Sequence, residues 1–578
     1  MQRILIANRG EIAVRIIRAC AESERTSIAI YADQDHDALH VRLADEAYAL
    51  GGATPATSYL NAEAIVALAL RVNADGVHPG YGFLAENADF ARAVEDAGLI
   101  WIGPRPDTIE QLGNKVAARE LATSIGAPLV PGTTEPLANA EEAVAFAKEH
   151  GLPVAIKAAF GGGGRGLRVA HSLDEVADSF AAATSEAIAA FGRGECFVER
   201  FLEQPRHVEA QIVGDGEGAV VVVGDRDCSL QRRNQKLVEE SPAPDLSEEQ
   251  RTSIHDAARR IGEAVNYRGA GTVEFLVGRD GTVSFLEVNT RLQVEHPVTE
   301  ITAGVDLVAE QFRIAEGRGL SLSETPVPTG HALEFRINAE DPGRGFLPAA
   351  GQVTGLRVPG GPGIRWDAGV EAGDRVEAAF DSMLAKLIVF APDRAQAIAR
   401  GRRALRELEV SGVATVVPFH RAVLEEPAFT DAPFGVYTQW IEQELLPKLP
   451  SAPRSAATAA SELVRFAVEL DGRRVMLGLP AEMLTRLGTN ASSDAAQDAA
   501  RETPETDPTL LEAPVAGTLV RRLIDEGASV TTGTPVAVLE AMKMETQVVA
   551  HRDGVVQWRV DEGETVALDA PIAVIAAE

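Results

Sequence analysis

Cysteine, positive charge and long apolar runs are all scarce in this chain. The three cysteines, Cys20, Cys196 and Cys228, lie far apart and lack the spacing of a metal site. A disulfide framework and a zinc ribbon are thereby excluded, and reduced intracellular thiols are expected. Lys and Arg number 54 against 85 Asp and Glu, a formal net charge of −31. Such an acidic surface disfavours nucleic acid and anionic membrane as partners. It also means that anionic substrates would need cations gathered locally at a site. No run of about 20 apolar residues, signal peptide or transit peptide is found, so no membrane association is expected. The chain opens Met1-Gln2-Arg3-Ile4-Leu5-Ile6-Ala7, which already reads as a buried strand, and a cytoplasmic location is expected. What is present fits a soluble globular protein, 46% apolar and 24% charged. At 578 residues it is too long for one core.

The first third alternates short apolar runs with amphipathic stretches. Ile4–Ala7, Ser27–Tyr31, Asp75–His78 and Leu99–Ile102 read as strands, and Glu11–Ala21 carries Ile12, Ile16 and Ile17 at helical spacing. Strands alternating with helices predict a parallel sheet. Pro153–Ala158 and Leu167–Ala170 read as strands on either side of a glycine run, and a larger α/β segment follows from about Phe201 to Trp440. Pro447–Ala460 reads as a linker, and Leu463–Leu479 as a small hairpin with an Asp471-Gly472 turn. Gly488–Pro508 has almost no large apolar residue and is expected to be disordered. Its r.m.s. span would be roughly 25 Å and its stretched reach roughly 70 Å.

Gly161-Gly162-Gly163-Gly164-Arg165-Gly166 satisfies a dinucleotide-binding pattern, but that pattern needs a helix directly afterwards. Here Leu167-Arg168-Val169-Ala170 follows, so the run joins two strands as a flap. Bare N–H groups of such a flap can close over phosphates, with Lys157 aimed at the same place. A mobile surface loop is the alternative, and Lys157 argues against it. A second polar stretch runs from Glu287 through Val288-Asn289-Thr290-Arg291-Leu292-Gln293-Val294-Glu295 to His296-Pro297. In an extended chain Glu287, Asn289, Arg291, Gln293 and Glu295 would share one face. A wholly polar face beside the buried run Val283–Leu286 points to ligand binding, a solvated edge strand being the alternative. Glu287 and Asn289, with Glu274, offer hard oxygen donors suited to Mg²⁺.

The C-terminal region is an internal repeat. Ala513-Pro514-Val515-Ala516-Gly517-Thr518, Asp525-Glu526-Gly527 and Val536-Ala537-Val538-Leu539 return as Asp553-Gly554-Val555-Val556, Asp561-Glu562-Gly563 and Ile572-Ala573-Val574-Ile575. The offset of about 36 residues implies two similar β layers packed face to face. Lys543, within Glu540-Ala541-Met542-Lys543-Met544-Glu545, falls at the turn between the halves, flanked by two methionines.

This turn resembles the biotinyl carrier domain of biotin-dependent carboxylases, whose lysine bears biotin. Lipoyl carriers share the two-layer fold, but their lysine usually lacks the paired methionines. Residues 1 to about 445 resemble the biotin carboxylase family, which has an ATP-grasp fold. The resemblance rests on Ile6-Ala7-Asn8-Arg9-Gly10-Glu11-Ile12-Ala13, His78-Pro79-Gly80-Tyr81-Gly82-Phe83-Leu84, the glycine flap, Arg226-Asp227-Cys228-Ser229-Leu230-Gln231-Arg232-Arg233 and Glu287 through Thr299. The whole layout is similar to the α chain of acyl-CoA carboxylases. The resemblance implies an α/β multidomain protein. Residues 1–113 would form a Rossmann-like N-terminal domain and 114–330 the ATP-grasp domain, with its lid at 131–203. Residues 331–445 would form a biotin carboxylase C-terminal domain, 446–507 a linker with the small hairpin, and 508–578 an all-β flattened barrel carrying biotin.

Carried over by position, Lys115, Lys157 and the flap residues Gly162, Gly163 and Gly164 would hold ATP phosphates, and Glu199 and Leu202 the adenine. His207, Gln231 and Asn234 would line the ribose and phosphate region. Many relatives have histidine where this chain has Asn234. Glu274, Glu287 and Asn289 would bind Mg²⁺ or Mn²⁺, the first two also contacting ATP. Lys236, Arg291, Gln293 and Val294 would surround bicarbonate, Glu295 would be its general base, and Arg336 would face the ureido oxygen of biotin on Lys543. The implied reaction makes carboxyphosphate from bicarbonate and ATP, releases CO₂ and carboxylates biotin, as a ligase of fatty acid metabolism. The roughly 60 residues between the two resemblances cannot hold a carboxyltransferase, since a domain of that kind needs its own core. A biotin protein ligase and a separate carboxyltransferase β subunit are therefore implied partners. A homo-oligomer inside a larger hetero-oligomeric complex is implied by analogy. A split pyruvate carboxylase is the alternative acceptor system. A non-catalytic carrier and another ATP-grasp ligase are further rivals, the first opposed by Lys157, Glu287, Arg291 and Glu295, the second by Met542-Lys543-Met544.

Overall fold

A computed structural model describes residues 1–133, 135–158, 167–191, 194–449, 463–470, 473–480, 507–542 and 544–577. The apolar runs of the first third build a parallel sheet in the order β3-β2-β1-β4-β5. Its strands are β1 (Arg3–Ile6), β2 (Thr26–Tyr31), β3 (Glu46–Ala49), β4 (Gly76–His78) and β5 (Ile100–Trp101). Ile4, Leu5 and Ile6 are all fully buried, because helices cover both faces of such a sheet. Helix α1 (Gly10–Glu22) buries Ile12, Ile16 and Ile17 as the spacing predicts.

The next segment contributes a small three-stranded sheet of β6 (Val154–Ala158), β7 (Leu167–Ala170) and β8 (Cys196–Arg200). The glycine run therefore does separate two strands, and residues 159–166 themselves lie outside the described residues. An eight-stranded antiparallel sheet forms the largest element. It begins at the edge with β13 (Val283–Asn289) and continues through β12 (Arg268–Val277), β9 (Arg206–Asp215), β10 (Val220–Arg232), β11 (Gln235–Ser241) and β14 (His331–Asn338). Strands Met383–Ala391 and Ile364–Ala368 complete it. No helix among the described residues is long and apolar enough to cross a membrane.

One sequence expectation fails here. The extended face from Glu287 to Glu295 holds only to Asn289, where β13 ends. As an edge strand, β13 leaves its next N–H groups without a sheet partner, and Glu86 takes that of Thr290 at 3.0 Å. Pro297 then starts helix His296–Ala303, whose first turn suits its fixed φ and missing N–H. The chain must turn between these two points, so Arg291, Gln293 and Glu295 are carried by turns rather than by one strand face.

The C-terminal region forms two four-stranded antiparallel sheets. One contains Leu510–Glu512, Ser529–Val530, Gly554–Trp558 and Pro571–Ala576; the other contains Gly517–Arg522, Pro535–Ala541, Met544–Val549 and Thr565–Val566. Leu519, Val536, Leu539, Val556, Ile572 and Ile575 fill the space between them. Gly517 and Gly554 occupy equivalent places in the repeat, and both lie against a neighbouring backbone. An added Cβ would fall 2.4 Å from the Glu540 carbonyl oxygen at Gly517 and 2.2 Å from that of Ala576 at Gly554. Leu463–Leu470 and Arg473–Pro480 pair antiparallel as the expected hairpin, while its Asp471-Gly472 turn, Lys543 and residues 488–506 of the segment expected to be disordered lie outside the described residues.

Gly517→Ala is expected to destabilise the C-terminal unit by about 1–3 kcal/mol through backbone overlap. Hydrogen exchange of the full chain should show faster exchange in Gly517–Arg522 and Pro535–Ala541, with the eight-stranded sheet unchanged. Unaltered protection in both strands would show that the close approach is not required.

Candidate active site

A cavity of about 1030 Å³ opens over one face of the eight-stranded sheet. Lys115, Lys157, Glu199, Leu202, His207, Gln231 and Asn234 line it together with Lys236, Glu274, Glu287, Asn289, Arg291, Gln293, Val294 and Arg336. Residues expected for ATP and those expected for bicarbonate thus face a single space. Glu295 is not on the wall; it is fully buried behind it. Gly162, Gly163, Gly164 and Arg165 lie outside the described residues.

Strand register assembles the site. Glu287, Glu274, Glu209 and Arg226 are successive lateral partners across β13, β12, β9 and β10. Three acidic residues in a row on one sheet repel one another unless cations are inserted between them. Lys236 supplies one such cation. Its Nζ lies 2.6 Å from Glu209, 2.9 Å from Glu274 and 2.7 Å from Glu295. Arg226, fully buried, pairs with Glu209 and donates to Gln211, Thr272 and Thr299. Arg336 bridges Glu239 through Nε and Glu295 at 2.9 Å. His207 Nε2 lies 3.0 Å from Glu274.

These pairings set the protonation states. Burial alone would raise the Glu295 carboxyl, but Lys236, Arg336 and Arg226 together hold it well below the usual range. Burial likewise opposes ionisation of Glu274, and Lys236 and His207 overcome it. Burial would lower the Lys236 ammonium, yet Glu209, Glu274 and Glu295 keep it well above its ordinary value. Glu239 goes the other way: burial pushes it up to about 7, with Arg336 resisting.

Anionic substrates call for cations concentrated at the site. The cations are present, but each described one already has a carboxylate. Lys115 lies 3.8 Å from Glu287, Lys157 pairs with Glu199, and Arg291 pairs with Glu86 at 2.7 Å. Lys115 and Lys157 are exposed, so their pairs are weak and readily exchanged, whereas Arg291 is largely buried and its pairing with Glu86 offsets the cost of burying its charge. Substrate anions would therefore exchange with these carboxylates rather than fill a vacant cationic pocket.

A divalent metal fits beside this network. Glu274 and Glu287 are direct partners across β12 and β13, and Asn289 is two residues further along the same face. Burial first and the Glu274 charge second raise the Glu287 carboxyl, with Lys115 opposing. A hard cation would relieve that repulsion and use oxygen donors it prefers. His207, Glu209 and Glu274 also bring ligand atoms within 4.8 Å of one another, but the Lys236 ammonium already compensates that group.

Sequence reasoning missed Glu86, Glu209 and Glu239. Glu209 was accessible, because His207, Glu209 and Gln211 alternate with Val208 and Ala210 and form the same kind of polar strand face as Glu287 and Asn289. Glu86 lies two residues beyond the motif ending at Leu84, but nothing local ties it to Arg291. The pairing of Glu239 with Arg336 depends on β11 lying beside β14.

The repeat unit also reaches this cavity. Met542 and Met544 line it. Met542 is 4% exposed, adopts φ +50°, and donates its backbone N–H to the Ala378 carbonyl at 2.9 Å. Arg344 donates to the Pro514 carbonyl at 2.8 Å, and Leu347 packs against the core of the repeat unit. Both residues flanking position 543 are thereby held at the cavity that contains Lys236, Arg291 and Arg336.

Family models match most of the chain. They are the biotin carboxylase N-terminal domain over residues 1–109, the carbamoyl-phosphate synthase L chain ATP-binding domain over 114–323, the biotin carboxylase C-terminal domain over 334–443 and the biotin-requiring enzyme model over 509–575. The chain is 54% identical over 580 residues to the biotin-dependent acyl-coenzyme A carboxylase alpha3 subunit of Mycobacterium leprae, covering 97% of this chain and 96% of that one. It is 45% identical over 428 residues to a pyruvate carboxylase subunit of Methanothermobacter thermautotrophicus, covering 74% of this chain and 87% of the relative. Among solved structures, the biotin carboxylase domain of the Hydrogenobacter thermophilus 2-oxoglutarate carboxylase, in complex with MgADP, ADP and bicarbonate, superposes with a TM-score of 0.69 at 45% identity, over 76% of this chain and 98% of that one. The protein belongs to the biotin-dependent carboxylases, as an ATP-dependent biotin carboxylase of ATP-grasp fold joined to a biotin carrier domain, with biotin, ATP and Mg²⁺ as its cofactors.

Proposed function

We propose that this chain is the α subunit of an acyl-CoA carboxylase, which uses ATP and bicarbonate to carboxylate biotin on Lys543 for delivery to a separate carboxyltransferase β subunit. The observation that carries this reading is the position of Met542 and Met544 on the wall of the cavity that holds Lys236, Arg291 and Arg336. A lysine between those methionines would present its prosthetic group to that cavity. We divide the chain at 1–113, 114–330, 331–445, 446–507 and 508–578, with a lid at 131–203. The family matches at 1–109, 114–323, 334–443 and 509–575 fit within those limits.

Bicarbonate is a poor electrophile and must first become a phosphoryl acceptor. Lys236 and Arg291 would neutralise its charge, with Gln293 and the Val294 backbone orienting it. In the ligand-free arrangement Glu295 is a weak base, because Lys236 and Arg336 both hold it ionised. A bicarbonate anion drawing on the same Lys236 weakens that hold and makes Glu295 more basic. Glu295 then takes the bicarbonate proton as the bicarbonate oxygen bonds to the γ-phosphorus and the bond to ADP breaks. Such a transfer depends mainly on positioning and on charge neutralisation. Glu274, Glu287 and Asn289 would hold the divalent ion, which supplies positive charge to the phosphate oxygens. Lys115, Lys157 and the flap at Gly162, Gly163 and Gly164 would hold the phosphates. Glu199, Leu202, His207, Gln231 and Asn234 would hold the nucleoside side. Carboxyphosphate would split into CO₂ and phosphate, and that phosphate would take the proton from the ureido nitrogen that biotin, once attached, supplies to accept the carboxyl group. Arg336 would face the ureido oxygen, and its guanidinium remains charged at any working pH.

The acyl-CoA acceptor is supported by similarity to the Mycobacterium leprae protein, which extends through the carrier region. The match to the Methanothermobacter pyruvate carboxylase component covers only 74% of the chain. A biotin protein ligase would load Lys543, and the protein would work as an oligomer in the cytoplasm.

Glu295→Gln should leave ATP binding intact and lower bicarbonate-dependent turnover by about 10²–10⁴-fold, the usual contribution of a general base. Arg336→Ala should impair biotin carboxylation more than bicarbonate-dependent ATP cleavage. Near-normal turnover in the first variant, or equal loss of both activities in the second, would remove the assigned role. For the acceptor, the biotinylated chain should copurify with a β chain and carboxylate acetyl-CoA, propionyl-CoA or a longer acyl-CoA. Activity with pyruvate and none of these thioesters would overturn the acyl-CoA reading.

A further inference from the structure

Lys386 is fully buried, and no step proposed above uses it. It lies on strand Met383–Ala391 as the register partner of Arg336 on one side and of Asp367 on the other. Its Nζ donates to the Val294 carbonyl at 2.8 Å and lies 3.2 Å from Glu11 Oε2 on α1. Glu11 is 4% exposed, and Lys386 is the cation its carboxylate faces. The junction around it is tight, since a Cβ added at Gly369 would fall 2.6 Å from the Glu11 backbone nitrogen. Asp367 is occupied by Arg365, and the Tyr81 ring lies 5.9 Å from the ammonium.

One ammonium thus joins α1, the turn that follows β13, and the strand beside Arg336. Val294 immediately precedes Glu295, so holding its carbonyl orients the peptide that aims Glu295 between Lys236 and Arg336. Without that bond, 294–295 belongs to a turn with no sheet partner, and its carbonyl could rotate. Buried ion pairs are poor stabilisers, because desolvating the charges cancels most of their attraction. Orientation of the anion-binding turn is what this geometry achieves.

We infer that Lys386 is a positioning residue for bicarbonate activation: it fixes the Val294 carbonyl, with Glu11 as counter-charge, and so sets the place of Glu295 and of the bound anion. This rests on the proposed bicarbonate site at Lys236, Arg291 and Glu295. The test measures bicarbonate-dependent ATP cleavage by the full biotinylated chain, with ATP and bicarbonate titrated separately, for wild type, Lys386→Met and Lys386→Arg. Lys386→Met should raise the KM for bicarbonate roughly ten- to a hundredfold, the size expected for losing a hydrogen bond from a charged donor. The KM for ATP should stay within about twofold, since Lys386 touches no ATP-site residue, and Lys386→Arg should recover part of the bicarbonate affinity by restoring a cationic donor. Should Lys386→Met fail to fold because Glu11 is left unpaired, the double variant Glu11→Gln/Lys386→Met, which still lacks a donor at position 386, is expected to show the same selective rise. Equal change in both constants, or no change in either, would overturn the inference. A wild-type chain that cleaves ATP without regard to bicarbonate would instead refute the proposed site itself.

Discussion

The Lys236 ammonium is the point on which this site depends. Strand register places Glu287, Glu274 and Glu209 side by side, and the turn after β13 adds Glu295. Lys236 contacts Glu209, Glu274 and Glu295 at once. Without it, burial would protonate some of these carboxyls and remove both the anion-handling charge and the oxygen donors for a metal. The same contacts keep the ammonium charged against the cost of burial. Arg226 and Arg336 extend the balance outward, the first pairing with Glu209 and the second with Glu239 and Glu295.

Anions entering a site balanced in this way would compete with the carboxylates already facing its cations. ATP and bicarbonate would enter by exchange with Glu199, Glu86 and Glu295, which hold Lys157, Arg291 and Lys236 in the ligand-free fold. Such an exchange would link binding to the proposed chemistry, because an anion drawing on Lys236 would weaken its hold on Glu295. The docked repeat unit is held by the Met542 N–H on the Ala378 carbonyl and by the Arg344 guanidinium on the Pro514 carbonyl, with no ion pair between the two units among the described residues. Contacts of that modest kind would suit the proposed delivery of a carboxyl group to a second site.

Much of the architecture could be read from the chain. Parallel strands showed in Ile4–Ala7 and Ser27–Tyr31, and the two-layer unit showed in the repeated Gly517 and Gly554 segments, where close backbone approach leaves room for no other residue. Local pattern also pointed to Glu274, Glu287 and Asn289, because strand alternation is a local property. It misjudged Arg291 to Glu295, since the end of β13 is set by Glu86 from a distant loop and by Pro297 ahead. The partners Glu209, Glu239 and Lys386 depend on the order of strands in the eight-stranded sheet, and strand order is not encoded in spacing along the chain.

The most direct test is a single-turnover reaction of the full biotinylated chain with labelled bicarbonate and MgATP, followed by peptide mapping. The account predicts an acid-labile carboxyl label on the peptide containing Lys543, formed only with ATP and lost when Lys236 is replaced by glutamine. Label elsewhere, label without ATP, or full labelling in the Lys236→Gln chain would contradict it.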